Sequence, residues 1–332
     1  MRATPHRILA TSLLLLVILI IVCLLSFTVG PAELDLRAVL AEMLGKSRLD
    51  EMGRTILFRI RMPRVFLGGL VGGILAVGGV VFQALLRNPL AEPFILGVSG
   101  GAGFGAIIGI LCGWALFPGV SAVAFVGGLF TIGLIMAMAR GRFRIHTNTL
   151  LLSGVIVNAF FSAAIMFLIS VTKDHRIHNV FHWLMGDFGL STFKEVLFLG
   201  PFLLVGFALI FAASRSLNLM AIGEETALYL GVQVEYVKKS LLILTSVMVS
   251  AAVCVSGIIG FVGLIIPHVL RLVLGSDHRL LLPASLFFGA SFLIFCDMLA
   301  RAVTSQGELP VGVITAICGG PFFIYLLRRN RG

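Results

Sequence analysis

Charge is what this sequence has least of. Asp, Glu, Lys and Arg make up 12% of 332 residues, against roughly 25% in soluble domains. Cysteine is sparse too. Cys23, Cys112, Cys254, Cys296 and Cys318 all lie in apolar stretches, with no CxxC and no short pairing distance. They read as small buried hydrophobes, which excludes a disulfide framework. No HExxH, no GxSxG and no carboxylate pair within an apolar run is present, so the usual constellations for hydrolytic chemistry are missing. Gly45-Lys46-Ser47 copies the end of a P-loop, but the leading glycine would fall at Leu40 and no strand precedes it. The chain is therefore not expected to be an enzyme or to hydrolyse ATP itself.

Apolar surface is what it has in excess. Hydrophobic residues make up 59% of the chain without counting Gly, and mean hydropathy is +1.09. A soluble globule of this size cannot hide that much, because burial is capped by surface-to-volume scaling. A soluble enzyme, a disordered chain and a secreted scaffold are excluded, and the chain reads as an all-α polytopic membrane protein. Ten apolar spans are expected at roughly 8–29, 64–85, 94–116, 119–139, 149–171, 193–213, 239–258, 260–275, 280–301 and 309–327. The first is longer than a signal-peptide core and is read as a retained helix. The eighth is short and interrupted by Gly260, Gly263 and Pro267, which a membrane tolerates only where protein or a water-filled cavity satisfies the backbone. All of this is read as a single transmembrane domain over residues 1–332.

The net charge of +10 is spread between the apolar runs. Topology and anionic headgroups explain it better than nucleic acid, since no aromatic-basic platform accompanies it. Arg140, Arg142 and Arg144, with Arg328, Arg329 and Arg331, place both termini in the cytoplasm. Residues 31–63 and 172–192 then fall outside. Within the first, Leu34, Leu36, Val39, Leu40, Met43 and Leu44 have the spacing of an amphipathic interfacial helix. Residues 214–238 form a long cytoplasmic segment of mixed apolar and acidic residues. It reads as two short helices broken at Gly231 and is a candidate docking site. Gly68, Gly69, Gly72, Gly73, Gly78, Gly79, Gly101, Gly105, Gly109 and Gly113 signal close helix packing, within the chain or between subunits. Ionisable groups inside the spans are few. Asp297 and Arg301 form an i,i+4 pair near the external end, while His268 and Arg271 lie near the inner end of the eighth span. A proton relay lacks parts, so transport energy is expected from another polypeptide.

An ordered series of motifs resembles the FecCD family of permeases. It runs Arg61-Met62-Pro63-Arg64, Gly79, Gln83, Asn88-Pro89-Leu90-Ala91-Glu92-Pro93 and Leu96-Gly97-Val98-Ser99-Gly100-Gly101-Ala102. It continues through Leu151-Leu152-Ser153-Gly154, Trp183-Leu184-Met185-Gly186, Gly223-Glu224-Glu225-Thr226-Ala227 and Leu230-Gly231. It ends with Gly260-Phe261-Val262-Gly263-Leu264-Ile265-Ile266-Pro267-His268, Asp277-His278-Arg279, Asp297 with Arg301, and Glu308-Leu309-Pro310-Val311-Gly312. The family supplies the membrane subunits of type II, binding-protein-dependent ABC importers for iron siderophores, haem and cobalamin.

The resemblance implies a ten-helix permease in the cell inner membrane, working as a homodimer with the substrate path on the dimer axis. Its implied partners are two cytoplasmic ATP-binding subunits, a periplasmic substrate-binding protein and membrane lipid, with no nucleic acid and no resident cofactor or metal. By position, Arg61, Arg64 and Arg301 are expected to receive acidic residues of the binding protein. Gly223, Glu224, Glu225, Ala227, Leu230 and Gly231 are expected to contact the ATPase. Ser153, Asn158, Phe161 and Pro310 are expected at the pathway. His175, His178 and His182 depart from the family pattern; their spacings put them on one helical face, where they are candidate contacts for haem or a metal chelate. Three other readings stay open from the residues alone: an ion-coupled secondary transporter of a hydrophobic or chelated small molecule, a membrane-bound enzyme, and a structural subunit. Siderophore or haem ranks first as cargo, then cobalamin, with an oxyanion last because no ring of basic residues lines the expected path.

Overall fold

The computed structural model describes residues 4–32, 34–46, 49–139, 147–172, 176–303 and 309–329. Arg140, Arg142, Arg144, His175, Glu308 and Arg331 lie outside the described residues. The helices in order are α1 (Pro5–Thr28), α2 (Leu36–Met43), α3 (Glu51–Thr55), α4 (Met62–Leu85), α5 (Val98–Leu111), α6 (Ser121–Ala139), α7 (Thr147–Val171) and α8 (Ile177–Met185). They continue with α9 (Phe193–Ala212), α10 (Ser214–Ile222), α11 (Glu224–Tyr229), α12 (Val234–Ser256), α13 (Val262–Leu274), α14 (His278–Val303) and α15 (Val311–Arg329). Among the described residues, seven helical segments are long and apolar enough to cross a membrane. Three shorter apolar helices, over 98–111, 262–274 and 311–324, complete the expected ten.

A π-helical turn at Ile56–Arg61 joins α3 to α4 as one rod over residues 51–85. α4 is the centre of the bundle. Its apolar window is 83% buried, against 6% for α1, whose Leu13, Leu14, Val17 and Ile20 point outward. α14, α12, α13, α9 and α1 all pack on α4. Glycine makes this possible. A Cβ on Gly72 would meet Leu293 Cβ at 2.8 Å and collide with the Gly289 carbonyl of α14; one on Gly79 would collide with the Gly263 carbonyl of α13. Small residues let helices approach where no hydrophobic driving force exists between them. The glycines of the second and third spans thus serve contacts within the chain, including Gly101 against Gly127 of α6 and Gly105 against Val123.

The eighth span is not interrupted within: α13 runs unbroken through Gly263 and Pro267, and the break lies just before it, at residues 257–261. α12 ends at Ser256, and Phe261 takes a left-handed conformation (φ 69°) just before α13. The free backbone groups find partners, as the interior of a bilayer requires. The Asp187 N–H donates to the Ser256 carbonyl at 3.0 Å and the Ile258 N–H to the Trp183 carbonyl at 3.4 Å. The Phe261 N–H donates to the Glu92 carboxylate. α9 starts from a capping box, with the Thr192 hydroxyl accepting from the Lys194 N–H and Glu195 reaching back to the Thr192 N–H.

Two local expectations need correction. The third span is shorter than 94–116: a 3-10 turn at Pro93–Leu96 precedes α5, which ends at Leu111. The break in 214–238 lies at Gly223, not Gly231. Glu224 and Glu225 start a new helix there, as acids favour a helix N-terminus, and Gly231 (φ 84°) ends it in the left-handed conformation usual after a helix.

Candidate functional site

The bundle has two polar ends, held apart by the length of α14. At the first end, three guanidiniums and one carboxylate converge. Arg64 Nε donates to both oxygens of Asp297 at 2.9 Å, and its terminal nitrogen lies 2.8 Å from Oδ1. Arg301 Nε lies 3.2 Å from Asp297 Oδ2, so the expected i,i+4 pair is present. Arg301 also donates to the Val29 carbonyl at 2.8 Å, and to the carbonyl and hydroxyl of Ser26 at 3.1 and 2.6 Å. Arg61 donates to the carbonyls of Phe27 (2.6 Å), Thr28 (3.0 Å) and Ala32. These residues are only 2–4% exposed. The donors of all three guanidiniums are thus aimed inward: Arg61 and Arg301 satisfy the carbonyl end of α1, and Arg64 ties α4 to α14 through Asp297. The exposed cations among the described residues of 31–63 are Arg37, Lys46, Arg54 and Arg59, with Arg54 paired to Glu42 at 3.0 Å.

At the opposite end sit α10 and α11. A Cβ placed on Gly223 would lie 3.7 Å from the guanidinium of Arg87, which follows α4. Glu224 pairs with the buried Lys238 of α12 at 3.1 Å. Leu217, Met220 and Ala227 are buried, while Ile222, Leu228, Tyr229, Leu230 and Tyr236 are exposed, Tyr229 at 89%. This helix pair therefore has a face fastened to the bundle and an unusually apolar open face outside the spans. Glu225 and Glu235 line the same hollow as Leu228 and Tyr236. Asn218 of α10 is bonded to Asp277 and His278 at the start of α14.

α7 is open along Leu152, Val155, Ile156, Phe160 and Phe167. Ser153 and Phe161 lie on its buried face, Phe161 against Phe104 at 5.5 Å between centroids. Asn158 is half-buried beside Gly100, and Pro310 is buried at the start of α15. His178 and His182 on α8 meet edge to face, 4.6 Å between ring centroids at 60°, and His182 Nδ1 lies 3.6 Å from Asp187 Oδ2. They line a cavity of about 430 Å³ with Phe117, Trp183, Glu195 and Ser256. No group of three His, Cys, Asp or Glu able to hold a metal ion occurs among the described residues.

Sequence reasoning found Arg301 beside Asp297 but missed its second partner Arg64, the Asn218 bonds and the Lys238–Glu224 pair. A lone carboxylate in an apolar span was the available signal for the first, since it needs a cation.

A family model described as the FecCD transport family matches residues 18–329. The cobalamin import system permease protein BtuC of Halobacterium salinarum is 39% identical to this chain, covering 99% of it and 98% of that protein. The hemin transport system permease protein HmuU of Yersinia pestis is 38% identical over 96% and 95% of the two chains. The vitamin B12 import system permease protein BtuC of Klebsiella pneumoniae is 40% identical over 86% of each. A solved inward-facing structure, assigned to the metal-chelate type of ABC transporter, superposes with a TM-score of 0.85. It shares 30% identity and covers 98% of this chain and 100% of that one.

Proposed function

We propose a cargo, partners and orientation for this chain, which belongs to the FecCD transport family. It is the multi-span membrane permease of an ABC importer, with ATP hydrolysis on a separate subunit. Its cargo is a large chelate or corrin, cobalamin or haem before other iron chelates; the relatives named for cobalamin and hemin support this. Two copies pair across the open apolar faces of α7 and α15, with the path between them. The termini and α10–α11 lie in the cytoplasm, and the chain sits in the cell inner membrane. ATP-driven closure of the docked subunits rocks the bundle between outward and inward access.

The observation that carries this reading is the exposure of Ile222, Leu228, Tyr229 and Leu230 on a helix pair fastened from behind, with Tyr236 at the start of α12 beside Leu228. Exposed apolar residues on a folded segment outside the spans suit a protein partner. The same reading gives the far end to the binding protein. Arg61, Arg64 and Arg301 hold the shape of that surface, and Arg37 and Arg59 offer it free charge. His178 and His182 contact a metal-bearing cargo at the mouth. Purification from native membranes in mild detergent, with stoichiometry by mass spectrometry, tests the partners. A P-loop ATPase near one per permease is the expected result; a preparation free of any ATPase overturns it.

A further inference from the structure

Asn218 of α10 has a side-chain amide fully engaged by other elements. Its Nδ2 donates to Asp277 Oδ1 at 2.8 Å. Its Oδ1 accepts from the His278 backbone N–H at 2.8 Å and lies 2.8 Å from His278 Nδ1. A backbone N–H only donates, so this contact fixes which way the amide points, and it puts the imidazole hydrogen on Nδ1. Asp277 is itself anchored. The Arg279 N–H donates to it at 3.1 Å and the Arg279 guanidinium at 3.1 and 2.7 Å. The Arg279 guanidinium holds the Asp277 carboxyl well below the usual carboxylate range. His278 is buried. The joint therefore combines neutral and charge-assisted bonds on groups that have no freedom to follow α10 loosely.

The joint has a counterpart on the next helix. Glu224, the first residue of α11, pairs with buried Lys238 of α12. The two short helices are thus fixed to two different membrane-spanning helices, and both of these pack on α4. α14 has 26 residues, about 39 Å at the usual rise. Its far end carries Asp297 and Arg301, bonded to Arg64 and to the end of α1.

We propose that Asn218 is the positioning residue through which the docking segment moves α14, and that α14 carries this displacement to the arginine cluster at the opposite membrane face. The inference rests on the reading of α10–α11 as the surface that meets the ATPase. Asn218 touches neither nucleotide nor cargo; it acts through Asp277 and His278.

The test uses the whole transporter, permease with its ATPase and binding protein, in liposomes, with cyanocobalamin and hemin as probes. Asn218→Leu removes both halves of the amide. The expected result is an ATPase bound at the parental ratio, an unchanged melting temperature and basal hydrolysis near the parent's. Cargo moved per ATP falls about tenfold, the scale of a typical coupling free energy between two sites. Asn218→Asp alone sets a carboxylate against Asp277 and behaves similarly. Asn218→Gln keeps both amide groups on a longer stem, and the ratio recovers in part. A parental cargo-to-ATP ratio in Asn218→Leu overturns the proposal. So does a loss of melting temperature and ATPase binding that Asn218→Gln does not rescue, which makes the residue structural only. Tyr229→Glu separates the premise: if the ATPase stays bound to that variant, the docking reading fails and the proposal with it.

Discussion

Replacing Asp297 by Ala leaves Arg64 and Arg301 facing an emptied carboxylate position. In the parent, Asp297 accepts two hydrogen bonds from Arg64 Nε at 2.9 Å and pairs with the two guanidiniums at 2.8 and 3.2 Å. All three side chains are buried, so water cannot take over the lost charge. Removing one partner of a buried pair costs about 3–5 kcal/mol because a charge is left uncompensated. Two cations share this anion, so Asp297→Ala belongs at the upper end of that range. Asp297→Asn keeps an acceptor and should cost less, about 1–3 kcal/mol. Arg64→Met in the Asp297→Ala background removes one of the two cations that have lost this carboxylate and should recover part of the loss. The assay is reversible unfolding of the purified permease in mixed micelles. The expected order of stability is parent, Asp297→Asn, the double variant, then Asp297→Ala. A cost for Asp297→Ala below about 1 kcal/mol, the scale of an exposed pair, refutes the claim that this cluster fastens α1 and α4 to α14. If Arg64 and Arg301 serve docking alone, their Ala variants melt as the parent does and lose only binding-protein affinity.

Gly79→Leu drives a side chain into the Gly263 carbonyl and should abolish folded protein, read as loss of a monodisperse detergent peak; a normal peak contradicts the α4–α13 contact. Leu228→Glu and Tyr229→Glu change exposed residues only, so they should release the ATPase while leaving melting unchanged. Lys238→Met should be tolerated better than Glu224→Leu, because the Glu224 carboxylate reaches water whereas the Lys238 ammonium is buried where it loses that carboxylate; unfolding midpoints decide. His178→Ala with His182→Ala should lower hemin uptake and spare cyanocobalamin, and equal uptake of both probes by variant and parent removes the imidazoles from the path.

The bundle was legible because a bilayer demands about 20 apolar residues per crossing; Gly260 marked the break before α13, while Gly263 and Pro267 proved to lie within that helix. Asp297 with Arg301 was legible because its spacing is local. Arg64 with Asp297 was not, since 233 residues separate them, and neither was Asn218 with His278, 60 residues apart. α7 shows a different limit. Its residues are apolar nearly all round, so periodicity does not say which face is covered; Ser153 and Phe161 proved to be on the buried side, and Leu152, Val155 and Phe160 on the open one. The edge-to-face contact of His178 with His182 follows from helical spacing. The approach of Asp187 depends on the chain reversal at Gly186 (φ 71°), which brings the residues after α8 back beside it.

ATP-dependent uptake is the most direct test of the account. Liposomes holding the permease with its ATPase are given binding protein and cyanocobalamin or hemin outside. The account predicts accumulation that requires ATP within the lumen and binding protein without, and that survives a protonophore. Accumulation that ignores ATP and collapses with the ion gradient contradicts it and makes the chain an ion-coupled transporter.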